Sequence, residues 1–183
     1  RLAYGEKVFG LMGVSLSGDC TVESEELALF EEVASDVAFA LHSLRLEEER
    51  QRAQRALLLE QSRLEALLRL GQMTTASVQE ITDFALEEAV RLTESTIGYL
   101  AFMNEDETVL TMHSWSKTAM KQCAMIDKPI VYPVETTGLW GEAVRQRKPV
   151  ITNDYAAPDV PKKGYPAGHV QMTRHMNIPV FDG

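Results

Sequence analysis

TGLWGEAVRQRKPVITND, residues 137–154, reads as a short helix delivered straight into a β-strand. The Thr137 hydroxyl is suited to cap the helix and Gly138 to turn the chain tightly before it. Leu139, Ala143 and Val144 form an apolar stripe, and Arg145, Arg147 and Lys148 place positive charge at the carboxy-terminal end, where the helix dipole favours it. Pro149 is expected to stop the helix, and Val150 and Ile151 to open a strand that runs out at Asp154.

Working outward, strand patterns recur at residues 97–103, 109–115, 130–134 and 176–181, with a hairpin turn at residues 104–107. Ser77 to Leu92 has the periodicity of an amphipathic helix, its inner face Val78, Ile81, Ala85, Leu86, Ala89 and Val90. The segment from Asn153 to His175, punctuated by Pro158, Pro161, Gly164, Pro166 and Gly168, is a long loop of the kind that often closes over a ligand. Phe181, Asp182 and Gly183 spell a further hairpin turn.

The amino-terminal part predicts a hairpin. Arg1 to Tyr4 forms one arm, Gly5 and Glu6 the turn, and Val8 to Leu16 the second strand. Ser24 reads as a helix N-cap, after which Leu27, Phe30, Ala34, Val37, Leu41 and Leu44 repeat at intervals of three and four. Leu46, Ala53, Leu57, Leu64 and Leu67 continue a helical stripe in a shifted register. No proline or glycine interrupts residues 24–70, so one helix of about 70 Å is expected, with Gly71 as its first candidate break. A rod with so little apolar surface of its own to bury needs a partner.

The chain has 183 residues, enough for one or two domains with an apolar core and no metal or disulfide staple. Twenty-seven acidic residues against eighteen basic ones give a net charge of -9, which argues against nucleic-acid backbones and anionic membrane surfaces as partners. Arg50, Arg52 and Arg55 alternate with Glu47, Glu48, Glu49 and Glu60 and read as a solvated helical face. Cys20 and Cys123 form neither a disulfide framework nor a CxxC motif, which fits a reducing, cytoplasmic setting. No apolar run reaches the roughly 20 residues needed to cross a bilayer.

The pattern Gly138, Leu139, Gly141, Pro149, Val150 and Asp154, with weaker support from the strand at 97–103, resembles the GAF domain, a small sensory module of signalling proteins. The resemblance implies an α+β fold in which an antiparallel sheet is flanked by helices. It divides the chain into residues 1–45, similar to the carboxy-terminal part of one GAF domain, residues 46–63, similar to a helical signalling linker, and residues 64–183, similar to the first two thirds of a second GAF domain. The hairpin and helix at the amino terminus would then complete the second domain's sheet, in trans between two chains if the long helix is straight, or in cis if it breaks near residues 45–55. A homodimer and a parent protein of the histidine kinase type are the implied context.

Cys123 and His169 are the sharpest candidate pair. A thiolate and an imidazole on two segments over one pocket can hold haem, with His169 as axial ligand and Cys123 as thioether or second ligand. The second module is similar to a GAF subgroup of redox-sensing kinases in which a cysteine and a histidine serve haem. The competing reading makes Cys123 a small buried residue and His169 an ordinary loop polar group. Tyr99, Trp115 and Trp140, with Phe102 and Tyr132, could line a pocket for a flat ligand or fill a core. His113, His169, His175 and Cys123 lack zinc-like spacing, so no metal site is expected. His113 reads as a satisfied pocket group, and His175 as hydrogen-bonded locally. Asp154 and Asp159 near His169 read as solvated carboxylates. There is no P-loop, nucleophile elbow, HExxH or dinucleotide fingerprint, and the expectation is a non-catalytic module.

Overall fold

The computed structural model describes residues 1–15, 18, 21–122, 131–158 and 169–181. Leu16, Cys20, Cys123, Ile130, Asp159, loop residues 160–168 and the 182–183 turn lie outside the described residues. The chain divides into two compact units, Arg1–Gln61 and Ser62–Gly183.

In the first unit, β1 (Leu2–Tyr4) and β2 (Lys7–Gly10) form the expected antiparallel hairpin, shorter than anticipated because the pairing ends at Leu2 opposite Gly10. Gly5 turns it with φ +58°, a left-handed conformation that glycine adopts without steric cost. Helix α1 (Ser24–Gln72) follows. Glu23, not Ser24, closes its start: the Glu23 N–H donates to the Glu26 carboxylate at 3.0 Å, and the Glu23 carbonyl accepts from the Leu27 N–H at 3.1 Å. The Ser24 hydroxyl already lies inside the first turn and is too late to cap it.

Tyr4 stacks on His42 with ring centroids 4.7 Å apart and tilts against Phe39 at 5.4 Å, while Phe9 meets His42 edge-on. Ala34 and Ala38 are buried, whereas Leu27, Val37, Leu41 and Leu44 of the expected seam are exposed. Further along, Arg45 pairs with Glu49, Arg50 with Glu47 and Arg52 with Glu48, all at exposed i,i+3 or i,i+4 positions. The Arg50 hydrogen bond, helped by Gln51, holds the Glu47 carboxyl down at about 2. Helix α1 runs unbroken through residues 45–55, and Gly71 does not interrupt it. Glycine keeps its N–H and C=O for the helix and costs only about 1 kcal/mol of backbone entropy relative to alanine, so the chain tolerates it in the last turn.

The second unit opens with α2 (Val78–Leu92), whose Ser77 forms a capping box: the Glu80 N–H donates to Ser77 Oγ at 3.3 Å and the Ser77 N–H to Glu80 Oε2 at 2.8 Å. Strands β3 (Tyr99–Met103) and β4 (Val109–Trp115) follow, then the short α3 (Lys117–Gln122) and β5 (Val131–Pro133). The three strands make an antiparallel sheet in the order β3-β4-β5. Asn104 organises the β3–β4 turn by accepting from the Thr108 and Val109 N–H groups. Leu110, Met112 and Ser114 alternate as the buried face of β4, and α2 lies against it through Gln79 and Thr82, which hydrogen-bond Ser114 Oγ at 3.0 and 3.2 Å. Gly98 permits the closest approach. A Cβ there would stand 2.7 Å from Val90 Cγ2 and 3.0 Å from Leu86 Cδ1.

The chain then passes through two 3-10 turns, Val134–Thr136 and Leu139–Gly141, into α4 (Glu142–Gln146), and on to β6 (Val150–Thr152) and β7 (His175–Asn177). Strands β6 and β7 pair antiparallel as their own two-stranded sheet, with no ladder to β3-β4-β5 among the described residues. The last strand is shorter than the expected 176–181. Beyond Val150 opposite Asn177, the next partners are Pro149 and Ile178, and Pro149 has no N–H to give. The architecture is α+β, with antiparallel strands, flanking helices and a long helix ahead of them.

Candidate functional site

The site begins with the 137–154 run. Thr137 does not cap a helix. Its hydroxyl donates to the Val134 carbonyl at 2.7 Å, the same carbonyl that accepts the Thr137 N–H at 3.2 Å, and the residue is buried. Arg145 does more than favour the helix dipole. Its guanidinium folds back along α4 and donates to the carbonyls of Val134, Thr137 and Gly138 and to Thr137 Oγ1, while its Nε reaches Glu142 at 2.7 Å. Gly141 is required by this arrangement: a Cβ there would fall 1.8 Å from Thr137 Oγ1. The helix also ends before Pro149. Arg147 adopts φ 50°, ψ 38°, and the Arg147 and Lys148 N–H groups turn back to Val144 and Ala143. Arg147 then lies 4.4 Å over the Phe181 ring and pairs with Glu107.

The turn delivers Trp140 to an aromatic group. Its indole meets Tyr99 edge-on at 6.0 Å and Tyr132 edge-on at 4.8 Å. Trp115 is the cross-strand partner of Tyr99. Asn177 of β7 ties these segments together. It accepts the Tyr99 O–H at 2.6 Å through Oδ1 and donates through Nδ2 to the Trp140 carbonyl at 2.6 Å. Burial pushes the Tyr99 phenol well above its ordinary value, only partly opposed by the bond to Asn177. At any ordinary pH it is therefore a neutral donor.

Beside this junction, Asp154 Oδ1 accepts from the Ala156 and Ala157 N–H groups and so fixes the turn that carries Tyr155. The Tyr155 N–H donates to the Thr173 carbonyl at 2.8 Å, and its ring meets His175 edge-on at 6.0 Å. His175 Nε2 is buried with no hydrogen-bond partner, contrary to the expected local bond; the ring packs against the Tyr155 ring, which offers that nitrogen no strong partner. Burial, and secondarily the neighbouring His169, lower its pKa. His169 Nδ1 lies 2.7 Å from the Val170 carbonyl. Since a carbonyl can only accept, Nδ1 carries a proton in this contact.

Of the expected site residues, the structure brings Tyr99 and Trp140 into ring contact and pairs Trp115 with Tyr99 across the strands. Cys123 lies outside the described residues. His113, expected to be satisfied, has a buried, unpartnered Nε2. Its ring is edge-on to Phe102 at 4.7 Å, and an aromatic edge offers that nitrogen no strong partner. Among the described residues, no three His, Cys, Asp or Glu side chains gather to hold a metal ion. Sequence reading missed Asn177, Tyr155 and the carbonyl-binding role of Arg145. A lone asparagine inside the apolar run 175–180 was the available signal for the first. A separate shallow groove of about 270 Å³, lined by Arg69, Gln72, Met73 and Phe84, carries no comparable chemistry.

An antiparallel sheet backed by α2, a glycine-bounded turn and an aromatic junction beyond it define the class, and the chain belongs to the GAF domain family, which it matches over residues 75–183. It is also similar to the methyl sulfide methyltransferase-associated sensor of Methanosarcina acetivorans, 64% identical over 135 residues, which are 74% of this chain. The chain spans 14% of that relative's length. No solved structure matches it. No helix among the described residues is long and apolar enough to cross a membrane.

The state of His175 predicts a pH dependence. Its pKa falls below 6.5 on folding, so the unfolded chain takes up the proton first as pH drops. This contribution to stability is complete above about pH 6.5 and is lost as pH falls from there towards the folded-state value. Urea midpoints followed by tryptophan fluorescence should decline across that window, and His175→Phe should flatten the decline. An unchanged slope in the variant would contradict the assignment.

Proposed function

We propose that residues 64–183 are the ligand-binding part of a sensory GAF module, that residues 1–45 are the end of a preceding GAF-like module, and that residues 46–63 are the helical linker between them. The observation that carries this reading is the junction at Asn177, where β3, the turn before α4 and β7 meet through two hydrogen bonds of 2.6 Å. A ligand held against Tyr99, Trp115 and Trp140 would perturb that junction first. Tyr99 follows Gly98, which nests on Leu86 and Val90 of α2, and Phe84 of α2 lies 4.9 Å from the Arg69 guanidinium near the end of α1. This chain of contacts supplies a route from pocket to rod, and the ligand acts by favouring one of two arrangements of it. The output enzyme, of the histidine kinase type, lies elsewhere in the parent protein. The fragment itself is non-catalytic and cytoplasmic, and the sensor in the relative's name agrees with this role.

The exposed Leu27, Val37, Leu41 and Leu44 on an unbroken helix support a homodimer, in which the amino-terminal hairpin and helix of one copy complete the second module of the other. Sedimentation velocity at tens of micromolar should give a dimer for the wild type and a monomer for Leu41→Asp combined with Leu44→Asp. A monodisperse wild-type monomer would remove the dimer, swapped or otherwise.

A second reading, a haem-binding redox or gas sensor, is supported by His169, whose ring is held through Nδ1 by the Val170 carbonyl. The buried, unpartnered Nε2 of His175, on the same stretch of chain, supports the reading. Haem bound there would supply an iron whose oxidation state or gas ligand changes. His169 would hold the iron, its Val170 bond fixing the ring's orientation. Cys123 would supply a thioether or second ligand, and Tyr99, Trp115 and Trp140 would flank the ring. Reconstitution with haemin should give a Soret band that His169→Ala abolishes. A colourless wild-type protein that still dimerises would instead leave a purely structural scaffold.

A further inference from the structure

The β6–β7 ribbon is built inside out. Ile151 and Met176 are cross-strand partners, and the in-and-out alternation of β7 continues past Asn177 to Val180. Val150, Thr152, His175 and Asn177 hold the sheltered positions, and Asn177 is the residue bonded to Tyr99 and to the Trp140 carbonyl. The outward positions are all apolar: Ile151 is 62% exposed, Met176 46%, Ile178 58% and Val180 92%. An antiparallel ribbon with one face to water normally turns its polar residues that way. Here an apolar face is left open instead, which marks an interaction surface. Exposed cations flank it, Lys148 ahead of β6 and Arg174 ahead of β7, so the antiparallel pairing puts one at each end. Neither is in an ion pair among the described residues.

The amino-terminal half of α1 has the complementary character. Ala34 and Ala38 are buried, while Leu29, Val33, Val37 and Leu44 stay exposed at spacings of four, four and seven, which put them on one side of the helix. Glu25, Glu31, Glu32 and Asp36 accompany them, with no lysine or arginine in the helix before Arg45. None of these four carboxylates is in an ion pair among the described residues. The lengths also agree, since Val33 to Leu44 spans about 17 Å as helix and residues 175–180 about 17 Å as extended chain. We propose that the outward face of β6–β7 is the docking surface for this half of α1 from a second copy, with the acidic residues of the helix meeting Lys148 and Arg174. This rests on the homodimer reading above and names the surfaces that meet in it. Two such contacts related by a twofold axis close the dimer, each copy giving one helix and receiving one.

The experiment uses the full chain at tens of micromolar with the photo-crosslinker p-benzoylphenylalanine in place of Val180, a side chain 92% exposed and so replaceable without disturbing the fold. Unlabelled and isotope-labelled chains are mixed, irradiated and mapped by mass spectrometry. Crosslinks should join position 180 of one chain to residues 29–44 of the other. Ile178→Asp with Val180→Asp should raise the dimer Kd more than tenfold with an unchanged circular dichroism spectrum. Lys148→Glu with Arg174→Glu should raise it about tenfold, and adding Glu32→Lys with Asp36→Lys should recover it. A dimer whose crosslinks miss residues 29–44, or whose Kd ignores the variants of both faces, would overturn the docking surface while leaving the dimer intact. Crosslinks to residues 29–44 only within single chains would overturn the second copy as occupant. A wild-type monomer would overturn both readings.

Discussion

The guanidinium of Arg145 is the constraint on which the second unit is arranged. Between β5 and α4 the chain makes two 3-10 turns, in which the Val134 carbonyl accepts from the Thr137 N–H at 3.2 Å and the Gly138 carbonyl from the Gly141 N–H at 3.1 Å. Arg145 adds a further donor to both carbonyls and reaches that of Thr137 as well, all from one side chain. Three carbonyls bound at once call for a planar donor with several N–H groups, which suits arginine in a way it does not suit lysine. The demand for Gly141 follows, since Thr137 Oγ1 occupies the space a Cβ would need. Trp140, between them, is aimed at Tyr99 and Tyr132 because the residues on either side are fixed.

The consequence for function lies in how the two small sheets of this unit are joined. They share no backbone ladder among the described residues, and two-stranded sheets are marginal by themselves. Asn177 connects β7 to the larger sheet through Tyr99 and to the Arg145-held turn through the Trp140 carbonyl. A joint of two side-chain hydrogen bonds is strong enough to define a geometry and weak enough to be redistributed by a ligand. That balance is what a sensory module requires. Asp154, the last residue of the fingerprint, adds Tyr155 to the same region by fixing its turn.

Much of this was legible in the chain. Strands 109–115 and 150–152, the capping box at Ser77 and the uninterrupted long helix follow from alternation, cap chemistry and the absence of proline. The fingerprint located the turn but misled about its parts. Thr137 reads as a cap because hydroxyls usually serve there, yet its hydroxyl turns back to the Val134 carbonyl three residues earlier. Pro149 reads as the terminator, yet Arg147 has already left the helix with positive φ. Long-range side-chain bonds such as Asn177 to Tyr99 leave no periodic trace, and histidines give no sign in sequence of whether a partner awaits them.

Helix α1 poses the complementary problem, an element secured locally by capping and i,i+4 ion pairs while its apolar positions remain exposed. Exposed ion pairs contribute little, so its order in the parent protein depends on what those apolar positions meet. The central claim, however, is that Arg145 organises the junction as a unit. Hydrogen–deuterium exchange of Arg145→Met against the wild type tests it most directly. The account predicts joint loss of protection in residues 134–146, 99–103 and 175–177. Loss confined to residues 142–146 would contradict it.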